Sequence, residues 1–270
     1  SGDVLAFLED DDEFEREKLG EVYKAFSQYK DVSYFHDTRK FLYYDRLVDT
    51  NVSDPSIKSI VEFHENIVPH YDIVLDPFDS STSSIIMRYP GILVTVSLMS
   101  VRRECVEDRL AILKRVRISV ESFIPTFAAE CGLLYHTGKR LTKYRIHDKN
   151  SSIPFTREGQ VRALAYLLRA IEDHKLVLAN SSRGNRVRGF VKRSLLEARL
   201  TLYYAPEDIK ALLRYKRHTL EALADAMELC KMGPRSLRGC VLSLLGVLYI
   251  GLPVKPLSRQ TLKKALRHGA

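Results

Sequence analysis

One uncharged run near the C-terminus constrains the fold more than any other stretch of the chain. Cys240–Ile250 contains eleven consecutive residues without a charge, and it is bounded by Gly233-Pro234 and Gly251-Leu252-Pro253. A membrane-spanning helix needs about 20 apolar residues, so the run is too short to cross a bilayer. Because it is apolar all round, it predicts a helix buried on every side, and a central strand is the less favoured alternative.

The charges are divided unevenly along the chain. The protein has 270 residues and a formal charge of +8. Residues 1–100 carry 9 basic against 19 acidic residues (−10), and the remainder carries 33 basic against 15 acidic residues (+18). This asymmetry predicts an acidic partner for the second part: nucleic acid, an anionic membrane surface, or the acidic part of another copy. A solvated basic surface without a partner is the plainer alternative.

The patterns of apolar residues predict a mainly α fold (α+β overall) with a small β element near residues 71–98. We expect two lobes, an acidic helical lobe over residues 1–100 that holds the β element and a basic all-helical lobe over residues 101–270. The β element comprises strands at 71–75 and 92–98, joined through a serine-rich loop. A polar linker is predicted at 136–156 and a turn at 180–185. Helices are predicted at 4–29, 37–48, 56–66, 106–120, 127–135, 156–171 and 186–202, and in the basic segment after Pro206.

Clusters of cations in the second part are the leading candidate site. One cluster places five cations around a glycine- and serine-rich turn and the start of the helix that follows it. Backbone N–H groups and arginine side chains at such a position suit a phosphate. Tyr144, Phe190 and Tyr215 lie among the clusters, as a surface that stacks single-stranded bases requires. The candidate nucleic-acid-binding residues are Arg183, Arg186, Arg188, Lys192, Arg193, Lys114, Arg115, Arg117, Lys139, Arg140, Lys143, Arg145, Arg214, Lys216 and Arg217.

A second candidate site is the segment Asp76-Pro-Phe-Asp79-Ser-Ser-Thr82, which follows a predicted strand. It resembles the metal-binding motif of the inositol monophosphatase and fructose bisphosphatase superfamily. The resemblance implies that Asp76 and Asp79 bind Mg²⁺, with Glu62 or Glu65 as a further acidic ligand, in a phosphomonoesterase. The segment departs from that motif because Ser80 replaces a glycine, the upstream Glu-Glu pair is missing, and the chain contains no Trp. We therefore predict that both aspartates are turn-capping acceptors, with no cofactor bound.

Two short segments, Ala129–Tyr135 and His174–Ala179, are similar to segments of influenza-type matrix proteins, which are helical, basic and self-assembling. They cover too little of the chain to define membership. The leading hypothesis is a basic, helical, self-assembling structural protein of viral matrix or nucleocapsid type that binds RNA or another polyanion. It would form a homo-oligomer through its acidic and basic lobes. The alternatives are a divergent Mg²⁺-dependent phosphomonoesterase and a helical adaptor in a protein complex.

The cysteines and the N-terminus predict an intracellular protein, cytoplasmic or nuclear and not secreted. Cys105, Cys131, Cys230 and Cys240 are widely separated and show no metal-ligand spacing. Such cysteines are typical of reduced thiols. The acidic start of the chain is unlike a secretory signal.

Overall fold

The computed structural model describes residues 2–147, 157–204, 224–225 and 227–228. Two short 3₁₀ helices, Pro90–Leu93 and Val96–Leu98, precede the sixth strand. The strands are β1 (Val4–Ala6), β2 (Glu13–Phe14), β3 (Val32–Tyr43), β4 (Arg46–Val48), β5 (Ile73–Leu75), β6 (Met99–Arg102) and β7 (Leu133–Ile146). The α-helices are α1 (Lys18–Gln28), α2 (Pro55–Asn66), α3 (Ser80–Arg88), α4 (Arg103–Glu107), α5 (Leu110–Leu113), α6 (Val120–Ala128), α7 (Arg157–Asn180) and α8 (Val187–Tyr204).

All seven strands belong to one curled, mixed sheet that resembles a half-barrel. Its main path runs β1-β6-β3-β7-β2, while β4 pairs with β3 and β5 pairs with β7. The long strands β3 and β7 are parallel, and every other pairing is antiparallel. The sheet therefore joins a strand of the acidic first part to a strand of the basic second part.

The strand β3 organises the apolar core because its side chains are buried on both faces of the sheet. Tyr34 belongs to the largest apolar cluster, which α4, α6 and the start of α8 complete. Phe35 packs in a second cluster with residues of α1. Phe41 packs in a third, against Ile57 and Val61 of α2.

A bulge in β7 interrupts the pairing between the two long strands. His36 pairs with His136, but Thr38 pairs with Arg140, so β7 has two more residues than β3 between these pairs. Asp72 holds the bulge, because its carboxylate accepts hydrogen bonds from the Thr137 hydroxyl (2.7 Å), the Gly138 N–H (3.1 Å) and the Tyr135 hydroxyl (2.8 Å). A bulge of this kind bends a strand and increases its twist. It contributes to the curl of the sheet.

The prediction of a mainly α fold is wrong, since the protein is α+β with a seven-stranded mixed sheet. The predicted helix at 37–48 belongs to β3 and β4, which are joined through Tyr44 and Asp45 with φ angles of 47° and 59°. Two successive positive φ angles are typical of a tight β-hairpin. The aromatic spacing that indicated a helical face comes from a strand whose two faces are both buried.

Other predicted elements also differ from the structure. Residues 4–29 contain β1 and β2 as well as α1. The predicted strand at 92–98 is largely 3₁₀ turns, and the predicted helix at 106–120 is broken into short pieces. The predicted helix at 127–135 ends at Ala128, and the predicted linker forms β7 as far as Ile146, so residues 101–270 are not all helical.

Several elements are confirmed. The structure contains the predicted helix 56–66 as α2, where the Asp54 carboxylate caps the helix and Pro55 occupies its first turn. The strand near 73–75, the helix that begins near residue 157, the turn before α8 and α8 itself are also present. The helices and the turn among these elements carry local capping and turn signals, which do not depend on distant partners.

The chain divides into two compact units between Ala198 and Arg199. The apolar run Cys240–Ile250 and most of the helical segment predicted after Pro206 lie outside the described residues; residues 224–225 and 227–228 of that segment are helical. Among the helices of the described part, none combines the length and the apolar composition that crossing a bilayer requires.

Candidate functional site

Two groups of exposed cations flank the helix α7. The first group, Lys114, Arg115 and Arg117, lies on the connection between α5 and α6. This connection is fixed by the buried carboxylate of Asp173 on α7. Asp173 accepts hydrogen bonds from the backbone N–H groups of residues 117, 118 and 119 at 2.8–3.1 Å. The cationic side chains are therefore presented from a backbone that is held in place.

The second group, Arg183 and Arg186, lies on the turn between α7 and α8. The buried Asn185 anchors this turn, since its side-chain amide donates to the Thr126 carbonyl (2.8 Å) and its side-chain oxygen accepts from the Val187 N–H (3.0 Å). The Arg186 N–H donates to the Pro77 carbonyl (2.8 Å), which ties the turn to the Asp76–Asp79 segment. Both guanidinium groups remain exposed.

The five cations Lys114, Arg115, Arg117, Arg183 and Arg186 are called the open cations below. Within the part of the chain that the structure describes, none of them forms an ion pair with a carboxylate. Arg169 on α7 is also exposed and lies one helical turn before Asp173. Arg169 is not among the predicted candidate residues, because the apolar face of α7 dominates its sequence pattern. No signal in the sequence singles it out, because a spacing of four residues from Asp173 on a helix would instead indicate an ion pair.

The candidate cations of β7 have a different environment, because each pairs with a carboxylate of the same chain. Lys139 pairs with Glu21 (2.7 Å) and Arg140 with Glu65 (2.9 Å). Glu13 accepts from both Lys143 (3.1 Å) and Arg145 (2.8 Å). Part of the acidic region thus neutralises the basic strand within one molecule.

The remaining candidate cations are also engaged or lie elsewhere. Arg188 donates to the Ser181 carbonyl (2.9 Å) and to the Leu178 carbonyl, so it caps the end of α7. Arg193 pairs with Glu197 (2.7 Å), and Lys192 is half-buried with a partner of its own. The other three predicted residues, Arg214, Lys216 and Arg217, lie outside the described residues.

The two aspartates of the phosphatase-like segment act as capping groups. Asp76 accepts a hydrogen bond from the Phe78 N–H (2.8 Å), and Asp79 caps α3 by accepting from the Ser81 N–H (2.7 Å). These hydrogen bonds from Ser81 and the nearby Arg186 charge lower the pKa of Asp79. The predicted capping role is confirmed. Among the described residues, no three His, Cys, Asp or Glu side chains are grouped to hold a metal ion.

A polar cluster that the sequence patterns do not predict lies inside the sheet. It consists of Lys18, Asp37, Arg39, Thr95, Ser97 and Thr142, and we call it the buried polar cluster. Lys18 forms an ion pair with Asp37 and donates to the Thr142 hydroxyl (3.1 Å), and that hydroxyl donates to Asp37 (2.9 Å). Burial lowers the pKa of Lys18 and raises the pKa of Asp37 to about 6, although each partner opposes the shift of the other.

Arg39 connects this cluster to a residue with an unusual backbone conformation. Its Nη1 donates to the Thr95 hydroxyl (2.9 Å), whereas its Nη2 is buried and has no hydrogen-bond partner among the described residues. Thr95 has a φ of 69°, which is unusual for a β-branched residue. The guanidinium also lies over the ring of Tyr144, 5.3 Å from its centroid. Perturbed pKa values and backbone strain both occur often at functional sites.

Lys18, Asp37 and Thr142 are fully buried and Arg39 nearly so, so a dissolved substrate has no direct access to them. The open cations, by contrast, are exposed and suited to bind phosphate or carboxylate oxygens. No protein-family model matches the chain, and no curated protein matches it in sequence. Function must therefore be inferred from the arrangement of charges.

Proposed function

We propose that the protein binds a polyanion, specifically single-stranded RNA, through the open cations and Arg169, in a non-enzymatic structural role. The observation that supports this proposal is the selective pairing of charges. The β7 cations form ion pairs with carboxylates of the same chain, whereas the open cations are exposed and form no ion pair among the described residues, although the charge of Arg186 acts on nearby Asp79.

The position of α7 makes the two groups of open cations suitable for one extended ligand. Asp173, which holds the first group, and Asn180, which precedes the second, are separated by roughly 10 Å along the helix. A flexible phosphate backbone can contact cations at both ends of such a span. Exposed cations that face phosphates gain affinity by releasing counterions, so binding should depend strongly on salt.

The pairing within the molecule also bears on the predicted assembly of acidic and basic lobes. Glu13 accepts from two cations of β7, and Asp12 accepts from the Arg145 N–H (3.0 Å). Asp11 lies 2.9 Å from the ring of His147. Because these acidic groups already have partners in their own chain, they are poor candidates for binding the basic surface of a neighbouring copy.

The test is a salt series with labelled single-stranded RNA of mixed sequence, measured by fluorescence anisotropy. Each phosphate contact contributes about −0.7 to the slope of log K against log salt. The double variant Arg183→Ala/Arg186→Ala should flatten the slope by about one to two. It should leave the fold intact, because exposed arginines contribute little stability.

A matched control removes two cations that are paired within the chain, Lys139→Ala/Lys143→Ala. It changes the net charge equally, so it should alter the slope far less than the Arg183/Arg186 variant does. Equal effects of the two variants would indicate a general charge effect and contradict the proposed surface. Binding to phosphatidylserine vesicles but not to RNA would instead identify an anionic membrane as the partner.

A further inference from the structure

His36 and His136 form a buried pair whose hydrogen bonds require more protons than two neutral rings carry. They are register partners in the parallel ladder of β3 and β7, with exposed fractions of 0% and 2%. The two Nδ1 atoms are 2.9 Å apart. On the outer side of each ring, Nε2 of His36 lies 3.3 Å from the Val94 carbonyl and Nε2 of His136 lies 2.9 Å from the Pro69 carbonyl.

Each of these three contacts needs one proton to be a hydrogen bond. A carbonyl oxygen only accepts, so each Nε2 must carry a proton, and one further proton must lie between the two Nδ1 atoms. Two neutral imidazoles supply two protons in total. The neutral pair therefore leaves one contact unsatisfied, and the longest one, from His36 to Val94, is the one to lose its proton.

One added proton completes the arrangement, and a second one destroys it. In the singly protonated pair, an imidazolium donates through Nδ1 to the neutral ring, and both Nε2–H groups donate to their carbonyls. In the doubly protonated pair, two Nδ1–H groups and two positive charges would face each other at 2.9 Å. Like charges at this distance in a buried site repel strongly, so the rings must separate.

The charged groups near His36 oppose its protonation, whereas those near His136 act in both directions. Lys18 from α1 and Arg39 from β3 act on His36, and His70 acts on His136, all as cations or potential cations. Asp72, which precedes β5, is the carboxylate that favours a proton on His136. Burial lowers the pKa of His36 well below its ordinary value and the pKa of His136 to about 4, with these neighbours adding to or opposing the shift. The pair is neutral at neutral pH.

We propose that His36 and His136 act together as an acid-sensitive switch at the β3–β7 ladder. The first proton joins His36 to the Val94 carbonyl, next to the strained Thr95, and thereby tightens the segment that contributes Thr95 and Ser97 to the buried polar cluster. The second proton separates the rings and opens the ladder between the two long strands. Two groups that share one proton titrate as a unit.

The experiment is an NMR titration of the full chain labelled with ¹⁵N-histidine, from pH 7.5 to pH 3. At pH 7.5 we expect the Nδ1–H form of His36 and the Nε2–H form of His136. On acidification the wild type should show two coupled steps, with both rings changing in each step. The variants His36→Gln and His136→Gln should each leave a single step on the remaining ring.

A control variant, His174→Gln, removes a buried histidine of α7 and should leave the two coupled steps unchanged. Circular dichroism at each pH shows whether the chain is folded. Independent titration of the two rings in the folded protein would overturn the proposal. So would two neutral rings that both keep the Nε2–H form until the chain unfolds in a single transition.

Discussion

Lys18 of α1 and Asp37 of β3 form an ion pair in which neither side chain has any solvent-exposed surface. The pair fixes α1 to the central strand, and Thr142 of β7 bonds to both partners. Breaking a buried ion pair by removing one partner is costly because it leaves an uncompensated charge. Replacing both partners by apolar residues avoids that penalty.

The variant Lys18→Met should therefore reduce the free energy of unfolding by about 3–5 kcal/mol. The double variant Lys18→Met/Asp37→Val should be clearly more stable than Lys18→Met alone, since no unpaired carboxylate remains. Urea denaturation monitored by circular dichroism measures both. As a control, Lys58→Met removes a surface pair with Glu62 and should change stability by less than about 1 kcal/mol. Equal losses in the single and double variants would contradict the role of the buried charge.

A side chain at the glycine of the β7 bulge should destabilise the protein. A Cβ added at Gly138 would lie 2.5 Å from the carbonyl carbon and 2.6 Å from the carbonyl oxygen of His70, which are backbone atoms that cannot move aside cheaply. Gly138→Ala should destabilise the protein by about 1–3 kcal/mol, the usual cost of overpacking. Gly189→Ala on α8 is the matched control, because a Cβ there meets no atom of the described residues within 4 Å. It should stabilise the protein by roughly 0.5–1 kcal/mol in a thermal or urea melt.

Glu9 should make stability fall as pH rises. Although Glu9 as a whole residue is exposed, desolvation of its carboxyl group and the neighbouring carboxylates Asp12 and Glu121 raise the pKa of Glu9 to about 7 from its ordinary value of 4.5. The folded protein thus holds a proton that the unfolded chain releases. The contribution is fully present below pH 4.5 and is lost as pH rises through about 7. Urea midpoints between pH 5 and pH 8 should decline in the wild type and decline less in Glu9→Gln. An identical slope in the two proteins would show that Glu9 is ionised throughout.

Asp79 should contribute to stability through its helix cap and not through a metal. Asp79→Ala removes the acceptor for the Ser81 N–H and should cost about 1 kcal/mol. Mg²⁺ should leave the melting temperature of the wild type unchanged. A rise in melting temperature with Mg²⁺ that is lost in Asp79→Ala would instead support the phosphomonoesterase alternative.

Elements with local signals were predictable from the sequence, and α2 is the clearest example. Asp54 and Pro55 mark its start, and Ile57 and Val61 form its buried face. The turn before α8 was equally visible from its Ser, Gly and Asn residues. These features act within a few residues of the chain, so no knowledge of the fold was needed.

The central strand was not predictable in the same way. His36, Asp37, Thr38 and Arg39 are all buried, so β3 lacks the alternation of apolar and polar residues that indicates a half-exposed strand. Their partners, such as Thr95 and Thr142, come from distant parts of the chain. A polar residue can be assigned to the interior only when its hydrogen-bond or ion-pair partner is known. That partner cannot be identified from the sequence when it lies far away along the chain.

The candidate cations were identified by residue type, but their pairing could not be. Arg145 and Arg186 are the same type of residue, and basic residues lie near both of them in the sequence. In the structure Arg145 reaches Glu13 of β2, whereas Arg186 remains exposed. The difference depends on the pairing of β2 with β7, which brings residues 13 and 143 into register.

The parallel pairing of β3 with β7 has a consequence for how the chain is made. His36 and His136 are 100 residues apart, so β3 leaves the ribosome long before its partner exists. At typical rates of 5–20 residues per second, the delay is about 5–20 s. During that interval a strand built to be covered on both faces has an unoccupied edge, and its polar residues lack Thr142 and His136. An incompletely synthesised chain therefore exposes an aggregation-prone strand that is buried in the complete protein. Such long-range pairing also slows folding.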